Sequence, residues 1–389
     1  MYQNITQRIF TCSIKFVLSL ILSFLALVPV ANASSGGHSD DHEGAAKFDP
    51  GTMITEHIID AHDWHLWGEG HDAVSIPLPI IIYNPEKGLE VFMSSKFHHG
   101  HDTYNGYAVS HNSIVVVNEE GSIPVEEATI NEVKTAAIYD ISITKNVLSL
   151  FISLIIMFFM FTSVAKAYRR REGQAPKGLQ SLIEPLVIFV RDDIAKASIG
   201  EKKYMKFLPY LLTVFFFIWI NNLLGLVPVF PGGANLTGSI SVTMTLAVIT
   251  FIITTINGNA HYWRHVFAMP GVPAWVLILL TPIEILGVFL RPFVLMIRLF
   301  ANITAGHIIA LSFFSLIFIF GEMSAGAGIG VSVFTIAFTV FMTCLELLVA
   351  FLQAYVFTLL SAIYIGAAVE EHDHDHHGED AHVEEALIV

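Results

Sequence analysis

Apolar residues gather into long runs from residue 147 onward, and into short runs broken by turn residues before it. Between residues 34 and 140 the runs VSIPLPIIIYN, LEVFMSS and NSIVVVNEEGSIPV alternate with Pro, Asn and Gly, which predicts a small β-containing region. Val147–Val164 then predicts a first membrane helix, FLPYLLTVFFFIWINNLLGLVP a second and ISVTMTLAVITFIITTI a third. Two longer runs follow, Trp275–Phe320 and Val331–Val369, and the Gly-rich GEMSAGAGIG between them reads as a turn. At about 1.5 Å per residue, either run outreaches an apolar layer of about 30 Å, so each must tilt, bend or break. The expected fold class is an all-α polytopic membrane protein. It has about five crossing helices, the last two long and tilted, with a small β-containing N-terminal region. Between the first two spans, SLIEPLVIFVRDDIAKASIG is apolar on one side and too short and charged to cross, which predicts an amphipathic helix at the membrane surface. The chain shows no internal repeat of the kind that marks many transporters.

Composition supports a membrane protein and excludes other classes. Of the 389 residues 54% are hydrophobic and 14% charged, too few charges to cover a water-soluble domain of this length. The net charge of −14 argues against a nucleic-acid partner. Arg8 and Lys15, the run VLSLILSFLALVPV and Ala31-Asn32-Ala33 read together as a secretory signal over residues 1–33, cleaved after the small-residue site. Residues 34–140 would then be an exported soluble region, 141–370 a membrane domain and 371–389 an acidic, His-rich tail. Residues 166–206 hold ten of the twenty Lys and Arg, against four in 34–140. By the positive-inside rule 166–206 is a cytoplasmic loop, the N-terminal region lies outside and the tail lies in the cytoplasm. Cys12 leaves with the signal, and Cys344 stands alone in an apolar run, so no internal disulfide is expected.

Ionisable residues inside apolar helices are costly and mark function by default. The first long run holds Glu284, Arg291, Arg298 and His307, with Asn302 among them; the last holds Glu346, with Gln353 a polar companion. Glu284, Arg291 and Arg298 are seven residues apart and share a helix face that drifts by about 20° per step, and Asn302 falls on the same stripe. His307 lies about 180° from Arg298 on a straight helix. Glu346 and Gln353 share a face of the last helix. Arginine stays charged in proteins and cannot relay a proton, whereas His and Glu can take and release one. A His and a Glu beside a fixed Arg describe a proton path next to a gate. Arg291 also has a plain structural reading, snorkelling to the surface or pairing with Glu284.

The stretch RLFANITAGH, preceded by PIEILGVFLRP and followed by LELLVAFLQAYVFTLLSAIYI, resembles the a-subunit family of F-type ATP synthases. NNLLGLVP, ANLTGSISVTMTLAV and DISITKNVLS are similar to the same family, and the resemblance spans roughly residues 50–370. It implies a membrane stator subunit facing a rotating c-ring, with b-type peripheral-stalk subunits and the rest of the synthase as partners. It implies no cofactor, and residence in a bacterial inner membrane. Arg298 would match the family's essential arginine, which ionises a ring carboxylate and separates two half-channels. Glu284, Asn302, His307, Glu346 and Gln353 match positions tied to the proton path. Many bacterial members carry Glu where His307 stands and His where Glu346 stands; here the two are exchanged, which implies that they act as a pair. One proton moved through 100 mV yields about 2.3 kcal/mol, so several are needed per ATP. The chain has no GxxxxGK[ST] phosphate loop, so nucleotide chemistry belongs to other subunits.

Two other readings remain open on sequence. One is a sodium-coupled version of the same subunit, since ion choice depends largely on the ring carboxylate. The other is a transition-metal transporter, in view of HDWH at 62–65, His98, His99 and His101 in HHGH, and His372, His374, His376 and His377 in HDHDHH. Such a transporter should carry paired ligands inside its helices. His307 has Ile303 and Leu311 one turn away, so a softer form, tails that bind zinc or buffer protons, fits better.

Overall fold

The computed structural model describes residues 51, 59–67, 74–110, 112–118, 121–171, 173–227, 231–269, 272–323 and 325–370. The signal and tail segments read from the sequence lie outside these residues.

The N-terminal region is built from short antiparallel pairs. Strands β1 (Asp63–Trp67) and β2 (Val74–Pro77) pair with each other. β3 (Pro79–Asn84) is flanked by β4 (Gly88–Met93) and, much later in the chain, the two-residue β7 (Tyr139–Asp140). β5 (Tyr107–Ser110) and β6 (Ser113–Val116) form a third pair. Alternation along β3 sends Ile80 and Ile82 inward, where they meet Phe97, Tyr107, Ile114 and Val116 in one small core. The Tyr107 hydroxyl donates to Glu90 and accepts from Asn84 Nδ2 at 2.9 Å; burial, then the Glu90 carboxylate, push it up to about 12. HDWH, a candidate metal motif in sequence, starts β1 instead, and His62 Nε2 hydrogen-bonds Asp140 Oδ2 at 2.9 Å.

This region is clamped to the first membrane helix, α1 (Lys145–Arg170). Asp60 Oδ1 accepts the Asn146 N–H at 2.9 Å, and Ala61 O accepts the Lys145 N–H at 2.9 Å. The Thr144 hydroxyl caps Val147. Three of the donors left open at a helix start are thereby satisfied, two of them by residues from over eighty positions upstream.

The longer helices that follow are α2 (Leu179–Phe189), α3 (Tyr204–Leu226), α4 (Ile240–Ile256), α5 (Ala260–Phe267), α6 (Ala274–Met323) and α7 (Ala325–Val369). By length and apolar composition α1, α3, α6 and α7 can cross a membrane, and the bent α4–α5 pair makes up to five spans. The fold is therefore a polytopic helical membrane protein with a small β region. α2 is amphipathic, but it is not only a surface helix. It continues as a wider π-helical turn over Val190–Lys196, and Ile183, Val190 and Ile194 are buried in the main core with α3. Within GEMSAGAGIG the helices extend further than composition suggests: α6 runs through Met323 and α7 starts at Ala325. A Gly costs a helix only about 1 kcal/mol, and a segment in lipid gains by satisfying its backbone internally.

α3 sits at the centre. Of its most apolar stretch 83% is buried, against 6% for α6. It packs on α7, which buries Ala350, Ala354, Phe357, Ser361, Ala362 and Ile365, mostly small residues that admit a close approach. The end of α7 is pinned: Lys203 Nζ and Asn259 Nδ2 both donate to Val369 O, at 2.7 and 3.0 Å. A Cβ on Gly366 would stand 2.0 Å from Ser198 O, so only glycine lets the turn after α2 reach α7.

Two outcomes follow for stability. Gly366→Val should detach that turn and lower the thermal stability of the purified membrane protein by several degrees, with Gly287→Ala, where a Cβ meets open space, as the neutral control. The second concerns acid. Burial pushes the Asp140 carboxyl up, but the hydrogen bond and charge of His62, with Ser142, outweigh it and hold Asp140 below the usual carboxylate range. A depressed carboxylate adds stability above its unfolded pKa, and that stability is lost as pH falls through the folded value. Limited proteolysis of the N-terminal region, from roughly pH 5 downward, should therefore accelerate more in the wild type than in Asp140→Asn.

Candidate functional site

Arg298 lies in the middle of α6. Leu295 and Leu299, three before and one after, are almost fully buried and fix the helix's inner side. That turns Arg298 and Asn302 outward, where both are exposed. Around Arg298 the outer side carries Phe293, Val294 and Ile297, and α7 exposes Phe341, Leu345, Leu348 and Leu352. A permanently charged guanidinium thus stands on a broad apolar surface, an arrangement costly in lipid and favourable beside an anionic partner.

His307 points elsewhere. It is half-buried, and its Nε2 lies 3.7 Å from where a Cβ would stand on Gly225 of α3. Glu346 is half-buried, and its Oε1 lies 3.0 Å from the Cβ position of Gly306. Among the described residues that oxygen is buried without a hydrogen-bond partner. Residues 306 and 307 are adjacent but about 100° apart on the helix. The carboxylate is therefore seated on the α6–α7 seam while the imidazole faces α3, and no direct His307–Glu346 hydrogen bond joins them. Gln353 is buried on α7 between Ala350 and Ala354.

The evenly spaced Glu284, Arg291 and Arg298 do not remain one stripe. The Arg291 guanidinium stacks over the Tyr364 ring, 5.7 Å from its centre. It lines a crevice with Thr250, Tyr262, Val288 and Tyr364, and Tyr262 lies within the electrostatic reach of Arg291 and Glu284. The drift of a seven-residue spacing, with Pro292 interrupting the hydrogen-bond ladder between the two arginines, separates them.

A third polar group was not singled out from sequence. Asn222 of α3 donates to Ala350 O at 3.1 Å and accepts from Thr237 at 2.6 Å. Thr304, one turn before His307, donates to Gly238 O at 3.4 Å. Lys145, only 7% exposed at the start of α1, acts electrostatically on His307. Lys145 reads in sequence as the hydrophilic edge of a span, and Gly225 and Gly306 as ordinary helix glycines. Only the doubled Asn221-Asn222 inside an apolar run gave a signal.

The candidate metal histidines are dispersed. His98 is exposed and its Nδ1 hydrogen-bonds Asp102 at 2.8 Å; His101 is exposed nearby. Among the described residues no three His, Cys, Asp or Glu side chains are placed to hold a metal ion. His372, His374, His376 and His377 lie outside the described residues.

Residues 147–366 match the family described as ATP synthase A chain, and residues 53–141 match a domain family of unknown function, DUF8433. The chain is 43% identical over 250 residues to ATP synthase subunit a of Chloroherpeton thalassium, covering 63% of this chain and 71% of the relative. It is 46% identical over 246 residues to ATP synthase subunit a 2 of Chlorobaculum tepidum, 61% and 67% of the two chains. It is 42% identical over 248 residues to ATP synthase subunit a of Myxococcus xanthus, 62% and 78%. The helical bundle with Arg298 on its open face and the match over more than half of its length together make this chain a member of the ATP synthase subunit a family.

Proposed function

We infer that this chain is the proton-conducting stator subunit of an ATP synthase membrane sector, and that Arg298 is its gate. The observation that carries the role of Arg298 is its exposure on an apolar face of α6, a helix whose apolar stretch is largely uncovered. A ring of c subunits, each bringing a carboxylate, fits that face. The guanidinium stabilises the ionised carboxylate as it passes and, being unable to give up a proton, blocks direct proton passage. Asn302, one turn away, offers the same partner a hydrogen bond.

Protons reach the ring from the His307 side and leave from the Arg291 side. Glu346, half-buried on the α6–α7 seam, is the carrier closest to the ring face on the first path, with Gln353 behind it. Arg291 lines the exit crevice, with Glu284 earlier on the same helix. The N-terminal region faces the outside of a bacterial inner membrane after signal removal, and the basic loop 166–206 and the tail face the cytoplasm. The basic loop is where b-type stalk subunits would contact the chain. The nucleotide chemistry is carried by other subunits of the synthase.

In membrane vesicles carrying the assembled complex, Arg298→Ala should abolish ATP synthesis and raise passive proton leak. Wild-type synthesis by an assembled Arg298→Ala complex would overturn the gate. Gly306→Ala places a methyl against Glu346 Oε1 and should slow synthesis several-fold with assembly intact, read by the same assay against an immunoblot of the complex.

A further inference from the structure

One face of the N-terminal sheet packs on its core, and the other is bare. Pairing along β3 continues past β7: the Ile141 N–H donates to Ile81 O at 2.9 Å and the Ile143 N–H to Pro79 O at 3.1 Å. Residues 139–143 therefore form one edge of the sheet, and β4 forms the other. Alternation turns Ile80, Ile82 and Phe92 to the core and the residues between them to the opposite side. The register sorts those outward residues into rows. Pro79 stands between Ile143 and Met93 in the row beside the start of α1. Ile81 stands between Ile141 and Val91 in the middle row, and Tyr83 between Tyr139 and Leu89 in the far row. No charged side chain falls on this grid. An antiparallel sheet with one packed face ordinarily turns polar residues to water on the other. Here Leu89 is 65% exposed, Val91 61% and Tyr139 60%, an apolar patch of the kind that marks an interaction surface.

The path of the chain indicates what lies against it. Ile143 is two residues before Lys145, where α1 begins, and α1 itself exposes Ile155 and Phe159 to lipid. Two extended residues reach about 7 Å at most, so the first row stands at the level where a spanning helix enters the membrane. The bonds from Asn146 to Asp60 and from Lys145 to Ala61 hold the region there. The order of the rows agrees. Aliphatic residues lie nearest α1, and Tyr83 and Tyr139, with ring centres 6.3 Å apart, lie farthest from it. Tyrosine favours the headgroup level, with its ring among apolar groups and its hydroxyl in water. A protein partner would require no such gradient. The depth is limited as well: β4 has no strand on its outer side among the described residues, and an open edge cannot enter hydrocarbon.

We propose that the bare face of the β4–β3–β7 sheet is a lipid-binding surface, resting at the headgroup–acyl boundary of the leaflet that α1 enters, with its tyrosine row at the headgroups. The N-terminal region is then fixed to the bilayer in two ways, by its clamp on α1 and by this face. The assignment needs α1 to span the membrane and is independent of the gate at Arg298.

The test uses the complete synthase, otherwise free of cysteine, in phosphatidylcholine vesicles, with assembly checked by immunoblot. Leu89→Cys, Val91→Cys and Met93→Cys place single labelling sites on the face. Glu127→Cys, exposed in a turn packed on β5, is the water-facing control. Each site carries a bimane fluorophore. Phosphatidylcholine with a nitroxide on its acyl chain should quench the Val91→Cys label several-fold more than the Glu127→Cys label, and the Met93→Cys label more than the Leu89→Cys label. Aqueous iodide should quench in the reverse order. Equal nitroxide quenching at positions 91 and 127 would mean a face open to water. A label at position 91 shielded from nitroxide and iodide alike would mean a protein against it. Either result, or a label at position 89 deeper than that at 93, overturns the proposal.

Discussion

Once lipid surrounds a helix, the hydrophobic effect no longer favours its association with another, and close packing with specific polar contacts must do so instead. The contact between α3 and the buried small residues of α7 meets that condition, and the other helices arrange themselves around it. Asn222 ties α3 to the α7 backbone and to the turn before α4. Tyr210 joins α3 to Thr250 of α4 at 2.5 Å. With α7 held this way and its last carbonyl pinned by Lys203 and Asn259, α6 can rest on α7 along one side and leave the other bare. A bare helix face in an otherwise well-packed bundle is the condition for a sliding partner.

The polar residues of the membrane domain fall into three places, each with a different environment. Arg298 and Asn302 stand on the open face. His307 faces Gly225 of α3. Arg291 borders a crevice with Tyr262 and Tyr364 nearer the start of α6. Glu346 is half-buried on the α6–α7 seam, with its Oε1 against Gly306. The separation matters chemically, because an ion that must visit all three cannot pass straight through. It has to be carried by something that moves across the open face.

Much of this was legible in the chain. Apolar runs located the spanning helices of the described residues to within about six residues at either end, since lipid leaves a crossing segment little choice but helix. The ionisable residues of α6 and α7 were conspicuous for the same reason. What sequence spacing could not show was which way each points. The seven-residue interval that joined Arg291 to Arg298 on paper ignored Pro292 and the Tyr364 ring. The Gly-rich stretch after Phe320 reads as a turn by composition, yet α6 extends into it as far as Met323 and α7 already begins at Ala325. Asp60 and Lys145 were out of reach altogether, because 85 residues separate them in the chain and only the fold brings them together. HDWH misled for a similar reason: its histidine's partner, Asp140, lies at the far end of the domain.

The length of α6 has one more implication. A rod of 50 residues is about 75 Å long, and kept within an apolar layer of about 30 Å it lies roughly 65° from the layer normal. Steps along such a rod are mostly sideways. Residues seven apart, about 10 Å along the axis, differ in depth by only about 4 Å. Two sites on α6 can therefore open to opposite faces of the membrane while standing at nearly equal depth, and the axis of the helix becomes a lateral ruler that measures how far a carrier must travel between them.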